Sequence, residues 1–187
     1  AELVAGYLGA SPALAPAPPV TLLVEAAGAS GADDPVDALA AAVGSLDGVV
    51  DAVVATDGPR RAALWRHRES LTEAISTLGP VHKLDVSLPA SALAAFADEV
   101  PAHVATAAPA ARTWIFGHLG DGNLHVNVSG VDPDDHAVDD AVLALVLDRR
   151  GSISAEHGVG TAKRAWLARQ HPPNPATRMA WDCPDFR

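Results

Sequence analysis

The clearest hydrophobic pattern in this chain is a two-residue alternation, in which every second side chain is apolar. It is strictest over residues 82–88, where Leu84 lies on the apolar side. Such alternation is typical of a strand with one face buried and one polar. The pattern predicts half-buried strands at 82–88, 112–118 and 123–129, the last two joined by a tight turn at 119–122.

Elsewhere the apolar residues recur every three or four positions, which is the period of a helix. Asp34 before Pro35 resembles a helix start, and Gly79 before Pro80 a helix end. The spacing predicts helices over residues 35–46, 59–77, 89–100, 134–149 and 161–169.

Short apolar runs without alternation predict further strands at residues 20–24, 49–54 and 152–154. From residue 82 to 155 the predicted order is strand, helix, strand, strand, helix, strand, which is the split βαβ pattern of ferredoxin-like folds. Two strand–helix units precede it. The sequence therefore predicts an α+β fold with one larger, mostly antiparallel sheet and helices packed on one face.

The predicted organisation has three parts. Residues 1–19 form a proline-containing linker with the remnant of an N-terminal helix, residues 20–170 form the domain, and residues 171–187 form an irregular tail. The chain begins at Ala1 without methionine, as if in mid-helix, which indicates a fragment.

The composition of the chain limits which partners and which cellular location we expect. The formal charge is −10 and the basic residues form no long run, which argues against nucleic acid as a partner. No apolar stretch has the roughly 20 residues that cross a bilayer, so no transmembrane segment is expected. Cys183 is the only cysteine and no leader peptide opens the chain, so we expect a cytoplasmic protein.

The residues with the most chemical potential lie in two glycine-bracketed segments, 117–128 and 154–160. His118 ends one predicted strand and His125 lies on the next, so both imidazoles can converge across the hairpin. Glu156 could complete a set of two histidines and one carboxylate, which suits Zn²⁺, Fe²⁺ or Mn²⁺. His157 would then be a candidate general base.

A simpler interpretation has equal weight on spacing alone. His118 and His125 can be hydrogen-bonded core histidines, and the glycine-rich segment between them an ordinary hairpin turn.

A second group of polar residues suits a carboxylate ligand. Arg68 and Thr72 lie one helical turn apart, and Lys83 on the following strand could add a third donor. From the residues alone, a solvated helix face with Arg68 paired to Glu69 or Glu73 is the favoured alternative.

Four segments of this chain resemble the signatures of the C-terminal domain of FAD-linked oxidases. They are WRHRE, KLDVSLP, GHLGDGNLHVNV and SAEHGVGTAKR. This group includes D-2-hydroxyglutarate dehydrogenase, D-lactate dehydrogenase and the glycolate oxidase flavin subunit. The resemblance covers residues 20–167.

The resemblance implies a role for each candidate residue. His118, His125 and Glu156 would bind a divalent metal, with Zn²⁺ favoured and Asn127 close by among the substrate-binding residues. Three donors would hold the carboxylate of a 2-hydroxy acid: Arg68, Thr72 and Lys83. His157 would accept the hydroxyl proton while hydride passes to FAD.

The resemblance also implies missing parts. The family's FAD-binding domain lies N-terminal to this region and is absent here, so we expect it as a partner and expect the chain alone to be inactive. The electron acceptor stays unidentified. Two other functions remain open at this point: a free-standing metal- or ligand-binding module, and a metal-dependent hydrolase.

Overall fold

The computed structural model describes residues 1–28 and 35–171. The chain divides into two compact units, Ala1–Thr77 and Leu78–Arg187, which are described separately. The predicted helix cap at Asp34 and almost all of the predicted tail at 171–187 lie outside the described residues.

The regular secondary structure described in the first unit is all helical. Its helices are α1 (Glu2–Leu8), α2 (Pro35–Gly44), α3 (Gly58–Glu69) and α4 (Leu71–Ser76). Helix α1 packs against α3 and α4. The small core of this unit consists of four buried residues: Val4, Ala5, Ala74 and Ile75. The predicted helix over residues 35–46 is confirmed in α2.

The prediction of strands at residues 20–24 and 49–54 is wrong. Both runs lack regular secondary structure, and their side chains are exposed, with Val50 at 81% and Val20 at 72%. β-Branched side chains favour the extended backbone of a sheet, but this preference alone does not form a strand. A strand also needs a second strand that pairs with it. Neither run pairs with another part of the described chain.

The helix predicted over residues 59–77 is interrupted once. Asp57 caps its start by accepting a hydrogen bond from the backbone N–H of Arg60 at 2.8 Å. Ser70, with φ −83° and ψ 5°, separates α3 from α4. Backbone hydrogen bonds from Ser70 to Arg66 and from Ala74 to Ser70 continue the helical course across the break.

The second unit is built around a sheet. Its elements are β1 (Val81–Ser87), α5 (Ala90–Ala107), β2 (Arg112–His118), β3 (Asn123–Ser129), α6 (Ala137–Asp148) and α7 (Arg164–Gln170). The predicted strands match these bounds to within a residue. Helix α5 runs past the predicted end at residue 100, with Pro101 inside it.

The sheet is antiparallel and ordered β1-β3-β2. The strand predicted at residues 152–154 is reduced to a single bridge between Ser152 and Ser87 beside β1. This bridge occupies the position of the fourth strand in a split βαβ arrangement. The α+β class is confirmed, and the described sheet has three strands.

The two faces of the sheet differ sharply. Helices α5 and α6 pack together, and their apolar residues meet those of one sheet face in a single hydrophobic cluster. The cluster includes Leu84, Val86, Val126, Val128, Phe96, Val100, Val104, Val142 and Val146. The opposite face carries most of the polar residues of the three strands.

His82 is a polar member of the helix-covered face. Its Nδ1 lies 3.1 Å from Asp139 Oδ1, and its Nε2 lies 2.9 Å from the carbonyl oxygen of Asp132. The pair ties β1 to the first turn of α6.

Candidate metal and substrate site

The polar face of the sheet brings most of the predicted site residues of the second unit into three adjacent rows. Strand register places these residues side by side, and rows two positions apart along a strand are about 6.8 Å apart. The rows are Lys83–Asn127–Trp114, Asp85–His125–Phe116 and Ser87–Asn123–His118.

Two glycines shape the hairpin that carries His118. Gly117 lies so close to the backbone of Asn123 that a Cβ there would overlap its carbonyl group. Gly122 has φ +73°, and a Cβ there would overlap the carbonyl oxygen of Leu88. Both positions require glycine for the close approach of backbone, and Gly122 also for its left-handed conformation.

At the hairpin end, His118 meets Glu156. The Nδ1 atom of His118 lies 3.8 Å from Glu156 Oε1, and the buried Asn123 donates a hydrogen bond from Nδ2 to that same oxygen at 2.7 Å. Asp121, in the turn, joins them: ligand atoms of His118, Asp121 and Glu156 all lie within 4.8 Å of one another.

This donor set fits a divalent metal ion. An imidazole and two carboxylates are nitrogen and oxygen donors of the kind that Zn²⁺, Fe²⁺ and Mn²⁺ accept. Ligand atoms around tetrahedral Zn²⁺ lie about 3.4 Å apart, so the group is slightly wider than a closed site. All three side chains are exposed, which leaves room for a further ligand.

His125 lies beside this group rather than within it. Its ring centroid is 6.4 Å from that of His118, with the rings nearly perpendicular, whereas two rings sharing one tetrahedral ion have centroids about 5 Å apart. Its Nδ1 lies 3.4 Å from Asp85 Oδ1, and its ring contacts Phe116 at 5.1 Å. The predicted ligand set of His118, His125 and Glu156 therefore needs a shift of about an ångström.

Asp85 is the polar centre of this face. The residue is only 7% exposed, and its Oδ2 accepts hydrogen bonds from the backbone N–H groups of Glu156 at 2.8 Å and His157 at 3.0 Å. Burial raises the pKa of Asp85, but these two bonds and the nearby imidazoles of His125 and His157 outweigh burial and hold that pKa below its usual value.

Lys163 anchors the same region from the other direction. Its Nζ donates to the carbonyl oxygens of Asp85 at 3.1 Å and Ile153 at 2.6 Å. Burial lowers the pKa of Lys163, against the opposing effect of Asp85 and Asp139. The segment that carries Glu156 and His157 is thus tied to β1 on both sides.

The remaining predicted residues lie as follows. Lys83 is exposed at the first row of the sheet face, and the buried Asn127 neighbours it across β3. His157 is exposed beside Glu156. In the first unit, Arg68 lies in α3 and Thr72 in α4, on either side of the break at Ser70.

Three residues of the site were not predicted from the sequence: Asp85, Asn123 and Asp121. The alternation puts Asp85 on the polar side of the strand over 82–88, Asp121 falls in the predicted turn at 119–122, and Asn123 begins the predicted strand over 123–129. The period of two places Asn123 on the same face as His125, and pairing β1 with β3 places Asp85 opposite His125. The signal was therefore the register between strands, which one strand alone does not reveal.

Residues 1–181 match the family described as FAD linked oxidases, C-terminal domain. The chain belongs to this family. The match is broader than the resemblance over 20–167 that the motifs alone indicated.

Three relatives illustrate the similarity. D-2-hydroxyglutarate dehydrogenase of Xanthomonas citri pv. viticola is 43% identical over 129 residues, which is 64% of this chain and 27% of the relative. The mitochondrial enzymes of that name from Arabidopsis thaliana and Rattus norvegicus are 35% and 39% identical, covering 71% and 67% of this chain and 24% of each relative. The chain thus spans about a quarter of their length.

Among the described residues, no helix has both the length and the apolar character to cross a membrane.

Proposed function

We propose that this chain is the substrate- and metal-binding part of a flavin-dependent dehydrogenase that oxidises a D-2-hydroxy acid to the 2-oxo acid. The observation that carries the proposal is that Glu156, held at its backbone by Asp85 of β1, meets His118 at the hairpin end in a chain of this family. The names of the relatives favour D-2-hydroxyglutarate over D-lactate or glycolate.

His118, Glu156 and His125 would hold a divalent metal, with Zn²⁺ favoured, and Asp121 is a further oxygen donor within reach. A metal bound there would contact the substrate hydroxyl and lower its pKa. Asn123 supports this arrangement because its hydrogen bond fixes the Glu156 carboxylate in the direction of His118.

Arg68, Thr72 and Lys83 would bind the substrate carboxylate. A guanidinium, a hydroxyl and an ammonium are complementary to an anionic oxygen pair, and they supply local positive charge in a protein of net charge −10. Asn127, beside Lys83 in the same row of the sheet, would add an amide donor.

His157 would accept the hydroxyl proton. Its backbone N–H is fixed by Asp85, and its exposed side chain follows the metal-binding Glu156 directly. The α-hydrogen would leave with its electron pair as hydride, which FAD accepts when bound by the N-terminal domain of the full-length protein.

The test is flavin reduction in the full-length protein. We expect D-2-hydroxyglutarate to bleach the visible absorbance of the oxidised flavin, and the L-enantiomer to do so far more slowly. Absence of reduction by D-2-hydroxyglutarate, D-lactate and the achiral glycolate alike would contradict the proposal.

Metal content provides the second arm of that test. Purified wild-type protein should hold about one zinc per chain, and His118→Ala and Glu156→Gln should hold much less. His103→Ala is the matched control, since His103 lies on α5 with its Nδ1 3.1 Å from the carbonyl oxygen of Glu99. Equal metal in all four proteins would remove the metal from the proposal.

A cytoplasmic location remains a prediction, and some relatives are named as mitochondrial.

A further inference from the structure

We propose that Asp85 is a positioning residue whose two carboxylate oxygens do different work. One oxygen holds the backbone of Glu156 and His157, and the other fixes the ring of His125. The inference rests on the proposed function, because it assigns these three residues to the metal and the base.

The first oxygen acts as a clamp. Asp85 Oδ2 accepts from two consecutive backbone N–H groups, at 2.8 Å from Glu156 and 3.0 Å from His157. These hydrogen bonds span more than seventy positions of sequence and join the middle of β1 to a segment outside regular secondary structure. A segment held at both amides presents its two side chains from a fixed backbone.

The second oxygen faces an imidazole. Oδ1 is buried and makes no hydrogen bond to the described part of the chain, and His125 Nδ1 lies 3.4 Å from it. A buried carboxylate oxygen without a partner is costly, so its position opposite His125 requires an explanation. Asp85 and His125 are direct partners in the β1–β3 register, so the two side chains are held opposite each other.

The chemistry of that contact sets the tautomer of His125. A carboxylate can only accept, so it favours the ring form with the proton on Nδ1 and leaves Nε2 with its lone pair available to a metal. Carboxylates that orient a ligating imidazole in this way strengthen metal binding by about 10- to 100-fold.

Two substitutions separate the two oxygens. In Asp85→Asn, the carboxamide oxygen is expected to face the two backbone N–H groups, because the carboxamide nitrogen cannot accept from them. The nitrogen then points at His125 and donates to Nδ1, which shifts the proton to Nε2 and opposes metal binding. Asp85→Ala removes both contacts.

The experiment uses the full-length protein and two readouts other than turnover. Hydrogen–deuterium exchange followed by mass spectrometry reports the amides of Glu156 and His157. Competition with a chromophoric chelator reports the affinity for Zn²⁺. We expect Asp85→Asn to keep amide protection within about twofold and to lose about 10- to 100-fold in zinc affinity. Asp85→Ala should lose both.

Asp139→Asn is the matched control. Asp139 also faces a strand histidine, at 3.1 Å from His82, but on the helix-covered face of the same sheet. Its substitution should lower thermal stability while zinc affinity and exchange at residues 156 and 157 stay at wild-type values. A merely structural role for Asp85 would make the Asp85 and Asp139 variants behave alike, which would overturn the proposal.

His125→Ala distinguishes the two levels of inference. Wild-type zinc affinity in His125→Ala would contradict the ligand set of the proposed function. Weakened binding in His125→Ala beside unchanged binding in Asp85→Asn would overturn the role of the second oxygen. Unchanged amide exchange in Asp85→Ala would overturn the clamp, whatever the protein does with zinc.

Discussion

At the scale of single residues, the site depends on buried polar groups whose cost is offset by specific partners. Asp85 is the clearest case, because burial alone would raise its pKa and yet its partners hold that pKa below the ordinary value of 3.8. A carboxyl group whose pKa is lower in the folded than in the unfolded chain stabilises the fold above its unfolded pKa.

This sign gives a pH prediction. The stabilisation from Asp85 should be fully present above about pH 5 and should be lost as pH falls below 3.8 through the folded pKa. Denaturant unfolding measured at pH 3–6 should therefore show a shallower acid dependence in Asp85→Asn than in wild type. An identical slope in the two proteins would contradict the prediction.

Gly122 gives a second prediction at this scale. Gly122→Ala should lower the free energy of unfolding by about 1–3 kcal/mol, because φ +73° is strained for alanine and its Cβ would overlap the Leu88 carbonyl. Thermal or denaturant unfolding measures the loss. Gly120→Ala, in the same turn with open space around it, is the control and should change stability by less than about 0.5 kcal/mol.

At the scale of elements, the segment before α7 depends on Lys163 for its attachment to β1. Lys163→Met should remove the donor of two carbonyl groups, those of Asp85 and Ile153, and cost about 1–3 kcal/mol per carbonyl left unsatisfied. We expect a lower melting temperature and faster amide exchange at residues 152–157.

Arg164→Met tests whether the effect is specific. Arg164 is the next residue and is exposed, so its substitution should leave both the melting temperature and the exchange rates near wild type. Equal effects of the two substitutions would show that Lys163 acts through general helix stability.

The elements also show what a sequence can predict. Strands β2 and β3 match their predicted bounds because alternation and a glycine-rich turn act within a few residues of each other. The run at 49–54 has equally strong β-branched character, yet it is not a strand, because pairing depends on a distant partner that composition does not specify.

The candidate site follows the same division. The proximity of His118 and Glu156 could be predicted from two recognisable segments. The role of Asp85 could not, because it arises from the β1–β3 register and from backbone N–H groups that carry no sequence signal. The sequence therefore indicated His118 and Glu156 and missed Asp85, whose contacts arise only in the folded chain.

At the scale of the whole molecule, the role proposed for Arg68 in binding the substrate carboxylate can be tested by kinetics. In the full-length protein, Arg68→Ala should raise KM for D-2-hydroxyglutarate by about 10- to 100-fold, since a charge-assisted hydrogen bond to a carboxylate contributes about 1.5–3 kcal/mol. Steady-state kinetics measure it, and kcat should change much less.

Arg60→Ala is the control for that variant. Arg60 lies in the first turn of the same helix, exposed and paired with Asp57 at 3.4 Å, so its loss should leave KM unchanged. An unchanged KM in Arg68→Ala as well would return Arg68 to the role of a solvated helix residue.

The separation of His118 and Glu156 along the chain has a further consequence. A cation bound to both would close a loop of roughly forty residues, and it would restrict the unfolded chain much as a disulfide does. By the chain-entropy relation for cross-links, a closure of that length is worth about 4 kcal/mol. The proposed metal would therefore act as a reversible cross-link that stabilises the second unit. Removing it with a chelator would lower the free energy of unfolding by a similar amount.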